Sequence, residues 1–172
     1  MSDILFMGTS LRHNRLLAEM YHKIVSVLKN ESITITLEQL SLCYYGEPKE
    51  PDFIKLIDVQ GFDTDSFNYL YAVQPDLMLF RYNPFLTNKE ETRFIGKPDL
   101  IVEVWSKSND KQHKLFKKKL YSSSDITEHW YINQHSNKIK CFLGQHELQD
   151  LNLKSCLKTQ TGIDIDLRHL AI

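Results

Sequence analysis

Residues 98–121, PDLIVEVWSKSNDKQHKLFKKKLY, decide the fold that the sequence predicts. A β-branched and apolar run from Leu100 to Val104 follows Pro98, and such a run is typical of a largely buried strand. The run also contains Glu103. Burying an unpaired carboxylate costs roughly several kcal/mol, so this side chain needs a salt bridge, a metal or a catalytic role.

The second half of the stretch predicts a helix over residues 110–121, with Ser108 or Asn109 as its cap. At 100° per residue, Lys117 falls on the apolar side of this helix, whereas the other four lysines lie mostly on its flank or back. A lysine in this position can extend past the core and place its ammonium in water. It can also supply the positive charge that a buried carboxylate requires.

Four motifs follow one another between residues 75 and 133. They are Pro75-Asp76-Leu77, Pro98-Asp99 through Val102-Glu103-Val104, Lys117 four residues before Tyr121, and Glu128-His129-Trp130-Tyr131-Ile132. This ordered set resembles the Uma-two family of the PD-(D/E)xK restriction-endonuclease-like superfamily, weakly before about residue 70. The resemblance implies an α/β (α+β) restriction-endonuclease-like fold, in which helices flank a central mixed or antiparallel β-sheet.

The same resemblance implies a metal-dependent endonuclease, a hydrolase of phosphodiester bonds in nucleic acid, with DNA as the first expectation. Its catalytic residues would be Asp76, Glu103 and Lys117, and the two acids would bind Mg²⁺ or Mn²⁺. The superfamily usually carries its lysine two residues after the second acid, where this chain has Trp105. Lys117 would take over that role from the helix. The alternatives are a catalytically inactive binding or regulatory protein with a nuclease fold, and a protein that acts only by oligomerisation.

Strand geometry relates the acidic residues to one another. Asp99 and Glu103 would share a face but lie about 13 Å apart along one strand, so one ion cannot bridge them. If the two Pro-Asp strands pair antiparallel with residue 79 opposite residue 100, Asp76 lies opposite Glu103. Two like charges so placed are destabilising unless a metal or Lys117 lies between them. The alternative is that Asp76 caps a turn and Glu103 pairs with a surface lysine.

Length and composition predict a single domain over residues 1–172, because 42% hydrophobic and 25% charged residues are ordinary for a globular protein. The formal net charge of −1 gives no overall attraction to nucleic acid or membrane, so a binding cleft would be local or formed by a homodimer. Three widely spaced cysteines argue against a disulfide framework or a zinc site. With no signal peptide or membrane-length apolar run, we expect a cytoplasmic location and no membrane partner.

The remaining segments carry weaker signals. Residues 46–51 predict a turn. Residues 52–72 are ambiguous, and the family resemblance implies that they could be an insertion that modifies the cleft. Residues 82–97 predict a long connection without regular structure, and residues 144–150 predict a turn. His13 is predicted to be half-buried near the start of the first helix, and the family resemblance implies that it could border the cleft. The other predicted elements are a helix over 11–29 and strands over 33–37, 40–45, 75–81, 127–133, 138–143 and 163–167.

Overall fold

The structure is a computed structural model that describes residues 10–28, 33–37, 41–45, 70–81, 85–86, 93–95, 98–106, 110–123, 128–153, 155–160 and 162–168. The elements in these ranges are, in chain order, α1 (Leu11–Val27), β1 (Thr34–Leu37), β2 (Ser41–Tyr45), β3 (Leu70–Val73), β4 (Leu77–Phe80), β5 (Phe85–Leu86), β6 (Arg93–Ile95), β7 (Leu100–Trp105), α2 (Lys111–Ser123), β8 (Glu128–Asn133), β9 (Lys138–Leu143), β10 (His146–Asn152), β11 (Cys156–Leu157) and β12 (Ile165–Asp166). Neither described helix is long and apolar enough to cross a membrane.

The main sheet has six strands in the order β1-β4-β7-β8-β9-β10. Neighbouring strands are antiparallel except β7 and β8, which are parallel and are connected through α2. The predicted mixed α+β fold is therefore confirmed, and the predicted strand at 98–104 lies inside this sheet. A second sheet has the order β3-β2-β6-β5, and β11 pairs with β12.

Alternation along β7 divides the core between the two faces of the sheet. Leu100, Val102 and Val104 belong to a cluster that contains the buried side of α1. Ile101 belongs to a second cluster, which contains Leu120 and Tyr121 of α2. Because successive strand residues point to opposite faces, Glu103 shares its face with Ile101 and with α2.

The register between β4 and β7 is the predicted one. Leu79 pairs with Leu100, and Leu77 pairs with Val102. Continuing this antiparallel register by one residue places Asp76 beside Glu103.

Each helix begins at a polar cap. Ser10 caps α1, since its side chain accepts a hydrogen bond from the His13 N–H. The cap predicted for α2 was wrong, because Asp110 caps this helix with both carboxylate oxygens, which accept from the N–H groups of Gln112 and His113. An aspartate satisfies the unpaired N–H groups of a first helical turn as well as serine or asparagine does.

Two further predictions were wrong in part. Residues 146–150, expected within a turn, begin β10 instead, because the turn is short and Gly144 adopts the left-handed conformation that glycine tolerates (φ 56°). The connection predicted over 82–97 contains β5 and β6. Of the 46–72 segment, residues 70–72 lie in β3, and residues 46–69 lie outside the described residues.

Candidate active site

Asp76 lies immediately before β4, at the edge where β7 ends. Its Oδ2 atom accepts a hydrogen bond from the Val104 N–H at 2.6 Å. Its Oδ1 atom lies 3.8 Å from Nε2 of His13, a buried residue of α1. Since α1 packs on the opposite face of the sheet, His13 approaches Asp76 around the end of the strands.

Glu103 is almost completely buried, with 2% of its surface exposed. Oε1 and Oε2 lie 2.7 and 2.9 Å from Nζ of Lys117. Oε1 also accepts the hydroxyl proton of Tyr121 at 2.6 Å. A buried charge persists in a fold when it is both paired and hydrogen-bonded, and Glu103 meets both conditions.

Lys117 points into the fold and not into water. The residue is 8% exposed, and its ammonium also donates to the carbonyl oxygen of Gln74 at 2.7 Å. The neighbouring lysines of α2 point elsewhere: Nζ of Lys118 lies 4.4 Å from the ring centre of Phe142, and Lys119 is exposed. The helical period therefore selects Lys117 among the lysines of α2 to face the two acids.

The position beside Glu103 changes the electrostatics of Asp76. Burial, and then repulsion by Glu103, raise the pKa of Asp76 to about 7. The Val104 N–H, His13 and Lys117 oppose this rise, and the raised value means that they compensate only in part. A carboxyl group held in such a position gains from a nearby cation, which favours its ionised form.

Trp105 occupies the position two residues after Glu103. It is half-buried, and its ring centre lies 4.3 Å from that of Tyr131. Lys114, one turn of α2 before Lys118, donates to the Ser106 carbonyl at 2.7 Å and lies 5.6 Å from the Trp105 ring centre. Trp105 thus has a packing role at this position, and the cation nearest to Glu103 comes from α2.

Asp99 takes no part in this cluster. Its Oδ2 atom accepts a hydrogen bond from the Arg81 N–H at 2.7 Å, at the other end of the paired strands β4 and β7. The separation of Asp99 from Glu103 that strand geometry predicts is the arrangement in the structure.

Sequence reasoning assigned no role to two groups that complete the site. The Gln74 carbonyl belongs to the backbone, which sequence patterns do not reveal. The Tyr121 hydroxyl could have been found, because Tyr121 follows Lys117 by four residues and therefore lies on the same face of the helix. His13 is more deeply buried than predicted.

Few of the described side chains near Asp76 and Glu103 could bind a metal ion. The described residues contain no group of three or more His, Cys, Asp or Glu side chains that could hold an ion. They do contain two neighbouring carboxylates with acceptor capacity left. The hydrogen bond to Asp76 uses Oδ2, whereas Oδ1 lies 3.8 Å from His13 Nε2, and Oε2 of Glu103 accepts from Lys117. Mg²⁺ is commonly bound through one or two carboxylates and keeps several waters, so the residues present fit such an ion.

A mixed sheet between two helices, with two acids and a lysine at the end of its central strands, defines the restriction-endonuclease-like class of fold. A family model described as "Putative restriction endonuclease" matches residues 60–165, and the chain belongs to this family, Uma2. The crystal structure of "a putative nuclease belonging to DUF820" from Anabaena variabilis ATCC 29413 is similar, with a TM-score of 0.65, 14% identity, and coverage of 95% of this chain and 82% of that chain. At this identity the likeness establishes the fold alone. No curated protein matches the chain.

Proposed function

We propose that this protein is a metal-dependent nuclease that hydrolyses phosphodiester bonds of nucleic acid. Asp76 and Glu103 would hold Mg²⁺ or Mn²⁺, and Lys117 would act on the phosphate or on the attacking water. The observation that carries the proposal is the buried Lys117 ammonium, which lies 2.7 Å from Glu103. Glu103 is the residue that the β4–β7 register, continued by one residue, brings beside Asp76. Membership of the Uma2 family supports the same reaction class.

The two acids support the metal through their electrostatics. Burial, and then repulsion by Glu103, both disfavour the ionised form of Asp76. A cation held by the two acids would offset both effects. A divalent ion bound there would polarise the phosphodiester and lower the pKa of a water molecule. Oxygen ligands suit Mg²⁺ and Mn²⁺ better than softer metals.

The position of Lys117 supports the proposal that it acts in the transition state. Its ammonium has three N–H groups, which meet Glu103 and the Gln74 carbonyl. A flexible four-carbon stem allows the ammonium to turn from Glu103 toward a phosphate oxygen or a water. A fixed positive charge beside the reacting phosphate would stabilise the negative charge that develops during hydrolysis.

A second candidate is a nuclease-fold protein that binds a partner without turnover. One observation favours it, since Lys117 contacts both oxygens of Glu103 and so neutralises this carboxylate without a metal. In this candidate the pair would serve the stability of the fold, and no divalent ion would bind.

Cleavage of supercoiled plasmid with Mg²⁺ or Mn²⁺ distinguishes the two candidates. The wild type is compared with Lys117→Met, which keeps the apolar stem, and with Lys118→Met as the matched control on the same helix. We expect Lys117→Met to lose about 10²–10³-fold in rate and Lys118→Met to keep its rate. Equal rates for all three proteins would remove Lys117 from the mechanism. Absence of cleavage by the wild type would favour the binding protein.

Metal binding is tested separately by thermal unfolding with and without Mn²⁺. The Asp76→Asn variant is compared with Asp99→Asn, since both aspartates follow a proline and both accept a backbone N–H from the opposite strand. A ligand that binds only the folded state raises its stability by mass action. We expect a rise in the unfolding midpoint for the wild type and Asp99→Asn, and its loss in Asp76→Asn. A rise of equal size in Asp76→Asn would contradict the assignment.

A further inference from the structure

Glu103 receives a second buried donor, in addition to Lys117. The Tyr121 hydroxyl donates to Oε1 at 2.6 Å, and Tyr121 has 0% of its surface exposed. Both donors come from α2, one turn apart, and reach the same carboxylate. A short O–H···O contact to an ionised acceptor is roughly twice as strong as a bond between neutral groups.

The two donors constrain the carboxylate differently. Lys117 contacts Oε1 and Oε2 at nearly equal distances, 2.7 and 2.9 Å, from a flexible stem, so it hardly distinguishes the two oxygens. The Tyr121 hydroxyl contacts Oε1 alone. Its ring is fixed by the apolar cluster between the sheet and α2, which includes Met78 and Leu120. Tyr121 is therefore the rigid donor, and it determines which oxygen of Glu103 stays available.

We infer that Tyr121 is a positioning residue, whose hydroxyl holds Oε1 of Glu103 and leaves Oε2 available to a divalent ion. This inference rests on the proposed function, because it concerns the orientation of one of the two proposed metal ligands. Partners that hydrogen-bond to a ligating carboxylate typically contribute about 10–100-fold to metal affinity.

Tyr131 provides a matched comparison within the same cluster. It pairs with Glu103 across β7 and β8, and it is 4% exposed. Burial, and then the charge of Glu103, raise its pKa well above the ordinary tyrosine value. Its buried hydroxyl has no hydrogen-bond partner within the described ranges of the chain. Tyr131 is thus a buried tyrosine near Glu103 that does not hold the carboxylate.

The test compares Mn²⁺ affinity of the wild type, Tyr121→Phe and Tyr131→Phe by titration calorimetry on the full chain. Each variant loses one buried hydroxyl and keeps its ring. We expect Tyr121→Phe to bind Mn²⁺ about 10–100-fold more weakly and Tyr131→Phe to bind it as the wild type does. Thermal unfolding gives a second measurement, since the rise caused by Mn²⁺ is taken from the metal-free midpoint of each variant and reports affinity even for a destabilised protein.

The outcomes separate this inference from the proposal on which it rests. Unchanged affinity in Tyr121→Phe, whatever its metal-free midpoint, would overturn the positioning role and leave the metal site standing. An equal loss in both variants would also overturn it, because the hydrogen bond to Oε1 would then not be the cause. Absence of Mn²⁺ binding by the wild type would overturn the metal site and, with it, the role of Tyr121.

Discussion

Two copies of the tripeptide Pro-Asp-Leu begin neighbouring strands and use their aspartates in the same way. Asp76, before β4, accepts the Val104 N–H at the end of β7. Asp99, before β7, accepts the Arg81 N–H at the end of β4. Because the strands are antiparallel, the two hydrogen bonds close opposite ends of one strand pair.

The two ends differ in what lies opposite each aspartate. Continuing the register places Asp76 beside Glu103 and Asp99 beside Phe80. At the first end, like charges meet, the pKa of Asp76 rises to about 7, and Lys117 is buried against Glu103. A local motif therefore provides a backbone contact at both ends, and the pairing of the strands brings a second carboxylate and a buried lysine to one of them.

Removal of Lys117 should have the largest effect on stability, because Lys117 is the cation nearest to Glu103 at the end of the strand pair that also contains Asp76. In Lys117→Met, two neighbouring carboxylates remain without their nearest cation, and loss of one member of a buried ion pair typically costs about 3–5 kcal/mol. We expect the free energy of unfolding to fall by this amount in the metal-free protein, as measured by urea denaturation.

A double variant supplies the control for that measurement. Lys117→Met with Glu103→Gln removes both charges, so the loss should be smaller than in Lys117→Met alone. A double variant as unstable as the sum of the two single variants would show that Lys117 and Glu103 do not act as a pair.

A buried histidine one strand away extends the comparison to pH. His129 is fully buried, its ring stacks on Phe142, and neither ring nitrogen has a hydrogen-bond partner within the described part of the chain. Burial, and then the charge of Lys118, lower its pKa to about 4. The folded protein thus favours neutral His129, and the unfolded chain binds a proton more readily. Above pH 6.5, His129 is neutral in both states and does not lower the free energy of unfolding. As pH falls from 6.5 toward about 4, the unfolded chain takes up the proton first, and the free energy of unfolding falls.

The expected size of the His129 effect is about 3 kcal/mol over that range. The raised pKa of Asp76 acts with the opposite sign, because proton uptake by Asp76 stabilises the metal-free fold as pH falls. We therefore compare the free energy of unfolding of the wild type with that of His129→Phe from pH 4 to pH 7, because Asp76 is present in both proteins and its effect cancels. The wild type should lose stability relative to the variant as pH falls. Parallel curves would contradict the prediction.

The sequence predicted the two strands whose shared end contains Asp76 and Glu103, and the helix that carries Lys117. Apolar runs and Pro-Asp starts located β4 and β7. The antiparallel register with residue 79 opposite residue 100, which the sequence prediction considered as a condition, is the register in the structure. The helical period of α2 then directed Lys117 inward, which the 53% exposure of Leu115 on the other side of the helix supports. These features depend on local patterns and on one pairing, which is why sequence reasoning reached them.

Other features depend on tertiary contacts or weak local signals. β10, HELQDLN, has no β-branched residue and few apolar ones, so its sequence does not indicate a strand. The Gln74 carbonyl acquires its role only when α2 docks on the sheet. His13 reaches Asp76 because of how α1 packs against the other face, which no spacing in the sequence reveals.

The two aspartates should respond to neutralisation with opposite signs in the metal-free protein. Asp99→Asn weakens a hydrogen bond to a charged acceptor, and we expect a loss of about 1.5–3 kcal/mol. Asp76→Asn weakens a similar bond but also removes repulsion with Glu103, so we expect a gain of about 0.5–2 kcal/mol. Urea denaturation at pH 8 measures both. Losses of equal size would mean that the two ends of the strand pair are electrostatically alike.

The smallest effect is expected at a third aspartate, which also binds backbone N–H groups but in an exposed position. Asp110 caps α2 through the N–H groups of Gln112 and His113 at 3.2 and 3.3 Å. Asp110→Ala should lower the free energy of unfolding by about 1 kcal/mol, and Asp110→Asn should restore it, because asparagine caps helices about as well as aspartate. Since α2 is held by Leu120 and Tyr121 in the core, neither variant should change Mn²⁺ binding. If Asp110→Ala weakened Mn²⁺ binding as well, the helix start and the site would be coupled, and the position of Lys117 would depend on the cap as well as on the packing of α2.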